Sequence, residues 1–141
     1  GINLFDGGSL MAFRIRRSDQ STFWSNFSIL DKYGNPHPIF DKINILHRSN
    51  INKTKEMNVR WKTVKLWESP RSFAKYPLIQ KLHFGENIFE FMPLIDDQEV
   101  DARLSTGGFY WEGAVELIHK KNIIGRGFLE LTGYSSPLRL Q

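Results

Sequence analysis

The feature that most constrains this chain lies near its end. Residues 108–134 read Gly-Phe-Tyr-Trp-Glu-Gly-Ala-Val-Glu-Leu-Ile-His-Lys-Lys-Asn-Ile-Ile-Gly-Arg-Gly-Phe-Leu-Glu-Leu-Thr-Gly-Tyr. Two runs of alternating apolar and polar residues flank a polar turn, which is the pattern of a β-hairpin. Side chains alternate across a strand, so Trp111, Gly113, Val115 and Leu117 share one face, and Tyr110, Glu112, Ala114 and Glu116 take the other. In the second run Gly125, Gly127, Leu129, Leu131 and Gly133 oppose Arg126, Phe128, Glu130 and Thr132. A turn centred on Lys121 sets Glu116 across from Arg126, a favourable pair, and Glu112 across from Glu130, a like-charged one. Two readings of the second pair stand side by side. Both carboxylates face water or are neutralised by Arg126 or another basic group. Alternatively, they share a proton and line a pocket. A slip of one residue in register would abolish the pair.

The rest of the chain follows the same period. Residues 2–5 read as a strand end, and Asp6-Gly7-Gly8 as a turn. Residues 10–17 alternate, with Met11, Phe13 and Ile15 on one side and Arg14 and Arg16 on the other. Strands are also expected over residues 22–30, 38–46, 59–67, 76–84 and 88–95, the last interrupted at Pro93. A short helix is the alternative for 38–46. Nothing alternates with long amphipathic helices, so a parallel α/β sheet is disfavoured. About nine or ten strands with short polar turns predict an all-β antiparallel sandwich or barrel, here a single domain over residues 1–141. A barrel of this size holds one small apolar ligand at its mouth.

Composition narrows the chemistry. The chain carries 11 Phe, 4 Trp and no Cys, which excludes disulfides and thiolate metal sites. Its four His show no metal-ligand spacing, and neither a metal nor another cofactor is expected. No apolar run reaches the roughly 20 residues of a membrane-spanning helix. The net charge of +4 is scattered, densest over residues 48–65, where a solvated polar loop is expected rather than a nucleic-acid surface. There is no nucleophile elbow, phosphate loop or Cys nucleophile, and no catalytic residue is nominated. The acidic run Asp96, Asp97, Glu99 and Asp101 lacks calcium-loop spacing and reads as a charged turn. Trp61 and Trp67 share a strand face; core packing is their first reading, and ligand contact in a barrel interior the second.

Tyr110-Trp111-Glu112-Gly113 followed by Gly125-Arg126-Gly127-Phe128-Leu129-Glu130-Leu131-Thr132-Gly133-Tyr134 resembles the closing signature of the AttH-like, lipocalin-like proteins. Asp6-Gly7-Gly8-Ser9-Leu10-Met11-Ala12-Phe13-Arg14-Ile15-Arg16, Trp67-Glu68-Ser69-Pro70 with Tyr76-Pro77, and Pro93 with Asp97-Gln98-Glu99 agree with that family in order. The family includes carotenoid 1,2-hydratases (hydroxyneurosporene synthases) and proteins labelled secreted hydrolases. The resemblance implies a lipocalin-like barrel, the C-terminal one of two, with a lipid or isoprenoid as ligand. It also implies a missing N-terminal lipocalin-like domain as partner, contact with a membrane surface, no nucleic acid, and a periplasmic or secreted location. The acidic and aromatic motifs that the resemblance credits with hydratase chemistry precede the segment matching Gly1. This piece alone is therefore not expected to be a competent enzyme, and a non-catalytic lipid- or isoprenoid-binding module is the alternative. Trp67, Tyr76, Tyr110, Trp111 and Tyr134 are the candidate apolar ligand contacts, with Glu112 and Glu130 as polar anchors.

Overall fold

The alternating runs become nine β-strands in the computed structural model, which describes residues 1–40, 59–105 and 107–135. They are β1 (Ile2–Leu4), β2 (Ser9–Arg16), β3 (Thr22–Leu30), β4 (Val59–Glu68), β5 (Lys75–Phe84), β6 (Asn87–Pro93), β7 (Glu99–Ala102), β8 (Gly108–His119) and β9 (Asn122–Leu131). Among the described residues there is no α-helix. Eight strands form one antiparallel sheet in the order β3-β2-β1-β9-β8-β6-β5-β4. One edge of the long β8 has two partners. β6 pairs with its second half, from Pro93↔Val115 to Phe89↔His119, and β7 with its first, from Ala102↔Gly108 to Glu99↔Trp111. The sheet curls until β3 and β4 meet without pairing, a nearly closed barrel.

The seam is sealed at one end by aromatic packing. Phe27 of β3 reaches across to Phe84 and Phe89, with ring centroids 5.4 and 5.5 Å away. Ile2, Leu4, Leu10, Ile29, Leu82 and Leu117 surround them in the core. Fully burying an aliphatic or Phe side chain contributes about 1.5–3 kcal/mol relative to leaving it exposed, and each aromatic pair about 0.5–1.5 kcal/mol more. This end of the barrel is therefore solid.

The other end is built differently. Along β2 the inward positions are Leu10, Ala12, Arg14 and Arg16, while Met11, Phe13 and Ile15 point out and are 53%, 40% and 48% exposed. The strand is amphipathic with its basic side turned inward. Trp24 covers Phe13 edge-on at 4.7 Å, and Phe128 adds to the same exposed apolar strip. β1 is short and starts the ladder at Ile2↔Leu10 and Ile2↔Gly127. Beyond it, β2 and β9 continue with a strand-wide slot between them. Gly1 stands at the base of that slot, exchanging backbone hydrogen bonds with Phe128. A Cβ on Gly127 would collide with the Gly1 carbonyl oxygen, which is why this rung needs glycine.

The closing hairpin has the expected Glu116↔Arg126 and Glu112↔Glu130 pairings, reached by an unexpected route. The turn holds two residues, Lys120 and Lys121, between His119 and Asn122. A bulge at Ile124 then adds the one residue that restores the register. Arg126 donates to Glu116 at 2.7 Å. The strand expected over residues 38–46 is not found where it can be seen. Pro38–Phe40 form a single 3-10 turn, since Pro36 and Pro38 lack the N–H a ladder needs. Residues 41–58, with the polar loop of the basic stretch, lie outside the described residues.

Lys120 and Lys121 both sit at positive φ, 48° and 68°, as a two-residue hairpin turn requires and as side-chain-bearing residues resist. Replacing them together, Lys120→Asn with Lys121→Gly, is expected to raise stability by about 1 kcal/mol. Thermal melting checks this, and a lower midpoint would count against the tight turn.

Candidate ligand site

Curling a sheet whose open end carries an inward Ala and two inward Arg leaves space that the core does not fill. A cavity of about 790 Å³ occupies it, within the range of small-molecule sites. Its inner wall includes Ala12, Trp61, Gln80, Phe91, Leu129, Leu131 and Tyr134. Trp61 stacks on Phe91 with centroids 5.8 Å apart. The cavity opens through the slot, where Met11, Phe13, Phe128, Glu112 and Glu130 form its outer rim.

Arg14 and Arg16 project into this space. Arg16 is fully engaged. It donates to the Thr132 carbonyl at 2.8 Å and to the Gln20 side chain, and its guanidinium lies 3.7 Å from the centre of the Tyr134 ring. Burial lowers its pKa. Burial likewise raises that of the Tyr134 phenol, opposed by Arg16 and Arg14. Arg14 donates to the Gln20 carbonyl at 2.9 Å, yet its Nε–H is buried without a partner. The Trp61 Nε1–H is in the same condition.

Behind the cavity stands a polar cluster that the acidic run did not advertise. The Glu99 side chain has 0% exposure. One carboxylate oxygen accepts from Ser69 Oγ at 2.5 Å and Arg71 Nε at 3.3 Å. The other accepts from Ser72 Oγ and from the Tyr76 hydroxyl at 2.9 Å. All four lone-pair sites of the carboxylate are thus met by donors. Arg71 grips Asp97 with both terminal nitrogens, a bidentate fork. That contact holds the Asp97 carboxyl below its usual range. Gln98, between them, donates to the Ile95 carbonyl and accepts from Ala114 N–H at 2.9 Å, filling the space that Gly113 leaves. Trp111 donates its indole N–H to the Asp96 carbonyl at 2.7 Å. Trp67 and Tyr134 pack on the Tyr76 ring at 6.1 and 5.6 Å.

Six of the seven residues expected from the sequence fall in these two places, and Tyr110 in neither. Glu112, Glu130 and Tyr134 border the cavity, the two glutamates on the outer, exposed face of the sheet. Tyr76 and Trp111 are fully buried in the polar cluster and Trp67 packs against it, while Tyr110 lies on the outer face of β8 opposite Val100 of β7. Arg14, Arg16, Gln80 and Phe91 were not nominated. The signal that could have found the arginines is their position, two charges at alternate sites inside a strand.

A nearly closed antiparallel barrel with a ligand-sized cavity at one end is a lipocalin-like domain. The chain matches the AttH-like family over residues 1–134, and it belongs to that family, as its motifs had indicated. It is similar to the crystal structure of a protein assigned as AttH from Nitrosomonas europaea, with 36% sequence identity and a TM-score of 0.75. The match covers 94% of this chain and 37% of that one, so the chain spans well under half of that relative. No curated protein matches the chain.

Two outcomes follow from the cluster. Glu99→Ala strips the acceptor from three hydroxyls and a guanidinium, and is expected to cost about 3 kcal/mol in denaturant unfolding. Asp97→Ala, at the exposed end of the same network, should cost far less; equal losses would count against Glu99 as its centre. The second concerns pH. Burial and the Glu99 contact raise the Tyr76 pKa well above the usual 10.0 for a phenol. The stability tied to its protonated form is complete below pH 10 and is lost as pH rises beyond it. In a titration followed by phenolate absorbance, Tyr76 should ionise only as the protein unfolds, and Tyr76→Phe should remove that alkaline component.

Proposed function

We propose that this AttH-like domain is a binding module for an apolar small molecule of the lipid or isoprenoid class, seated in the cavity at the open end of the barrel. The observation that carries the reading is the inner wall itself. Trp61, Phe91, Leu129, Leu131 and Tyr134 face a volume that the described side chains leave unfilled. Interiors are close-packed, so an apolar space of this size calls for an occupant.

In this reading the domain contributes the pocket, and any hydratase- or hydrolase-like step belongs to the rest of a longer protein. Glu99 supports that division. Its four lone-pair sites are already occupied, which leaves no place for a proton in transit. The exposed strip of Met11, Phe13, Ile15, Trp24 and Phe128 is the surface we assign to a neighbouring lipocalin-like domain. The greater length of the Nitrosomonas europaea relative supports this.

Retinol serves as an isoprenoid probe. Saturable binding of one molecule per chain is expected, and Ala12→Trp, which fills the cavity without removing a core group, should weaken it by at least about tenfold. Absence of saturable binding, or full binding by a folded Ala12→Trp variant, would sink the assignment.

A further inference from the structure

We infer that the cavity selects an amphipathic anion, its acidic oxygen headgroup held by Arg14 and its apolar chain lying against Trp61 and Phe91. This rests on the reading of the cavity as an apolar-ligand site and adds the class of ligand.

The inverted strand is the starting point. Turning Arg14 and Arg16 inward while Met11, Phe13 and Ile15 meet solvent opposes the usual partition of polar and apolar groups. Such an arrangement persists when the half-buried charge has work to do, since a polar atom buried without a partner is costly. Arg16 is satisfied by Thr132, Gln20 and the Tyr134 face, and acts as a strut across the slot. Arg14 is held in place by the Gln20 carbonyl but keeps its buried Nε–H unpaired. Trp61, on the same cavity wall, also keeps a buried indole N–H unpaired.

Among the described residues these are the buried side-chain polar atoms left without a partner, and both line this cavity. Both are donors. A ligand that satisfies them must bring acceptor oxygens, and next to two guanidinium groups those oxygens are best placed on an anion. The inward wall carries Arg14 and Arg16 and, among the described lining residues, no carboxylate, since Glu112 and Glu130 belong to the outer face and the rim. A cationic amphiphile would meet like charge. A neutral one would leave the Arg14 charge without a counter-ion. A carboxylate on an alkyl or isoprenoid chain meets both halves of the site.

The test compares dodecanoate, dodecanol and dodecylammonium by calorimetric titration of the chain below their micelle-forming concentrations. The expected result is dodecanoate bound at least about tenfold more tightly than dodecanol, and dodecylammonium weakest. Arg14→Met should bring dodecanoate and dodecanol within about twofold of each other. Trp61→Phe, which keeps an aromatic ring and loses the N–H, should narrow the ratio independently and keeps the test open if Arg14→Met fails to fold. Equal affinity for acid and alcohol, or a ratio unchanged in both variants, would overturn the choice of an anion and leave the apolar pocket standing. Binding of none of the three would overturn both.

Discussion

The Glu99 carboxylate has no access to solvent, and the open end of the barrel is assembled around it. Four donors converge on its two oxygens from one turn and one strand, Ser69, Arg71 and Ser72 before β5 and Tyr76 within it. A buried charge is tolerable only when paired and hydrogen-bonded, so each of these groups is fixed by the need of the others. The turn is fixed with them. Ser69 Oγ also accepts from the backbone N–H groups of Arg71 and Ser72, and the Phe73 N–H closes back on the Ser69 carbonyl. β7 thereby acquires its position beside β8, although it pairs over only four residues. The same segment aims Gln98 into the gap over Gly113 and offers the Asp96 carbonyl to Trp111. Motifs separated by tens of residues are therefore parts of one latch.

The two ends of the barrel meet different demands. At the closed end, apolar side chains from β1, β2, β3, β5, β6, β8 and β9 interdigitate, and aromatic contacts span the unpaired seam. At the other end the same strands continue, but β1 has stopped and β2 presents guanidinium groups inward. The latch lets this end remain hollow without collapsing, because it stiffens the far wall with polar bonds rather than with fill. Tyr134 joins the two. Its ring packs on Tyr76 of the latch on one side and carries Arg16 on the other. Rigidity at Glu99 is thus passed to the arginine that braces the slot.

Strand positions were legible because the period of two is written in side chains that lie close together. β2, β3 and β5 fall within a residue of their expected bounds, and the closing hairpin ends three residues early, at Leu131. The Glu112–Glu130 pairing was legible for a less secure reason, since an offset in the turn and a bulge at Ile124 cancel. Which face of a strand turns inward was not legible for β2. Alternation gives two faces, and only long-range packing decides between them. β7 and its buried Glu99 were hidden as well. Four acidic residues in six look like a solvated turn, and the donors that bury one of them lie 23 to 30 residues earlier. The family resemblance held the relevant residues but not their roles.

The polar residues of the motifs invite a reading as chemistry, and here the geometry gives them a structural task. Trp-x-Ser-Pro, Tyr-Pro and Asp-Gln-Glu contribute two hydroxyls and two carboxylates, and Arg71 and Ser72, between the first two motifs, add a guanidinium and a third hydroxyl, the components of many active sites. A carboxylate that acts as general acid or base toward a substrate needs a free lone pair and a path to that substrate. Glu99 has neither, being saturated and absent from the cavity lining. Among the described residues, the side chains that do reach the cavity with unsatisfied groups are Arg14 and Trp61, which lie outside those three elements. These residues brace the hollow end of the barrel, while inward positions of β2 and β4 line it. The residues that build the latch and those that line the cavity are thus largely different, so fold and site are encoded separately.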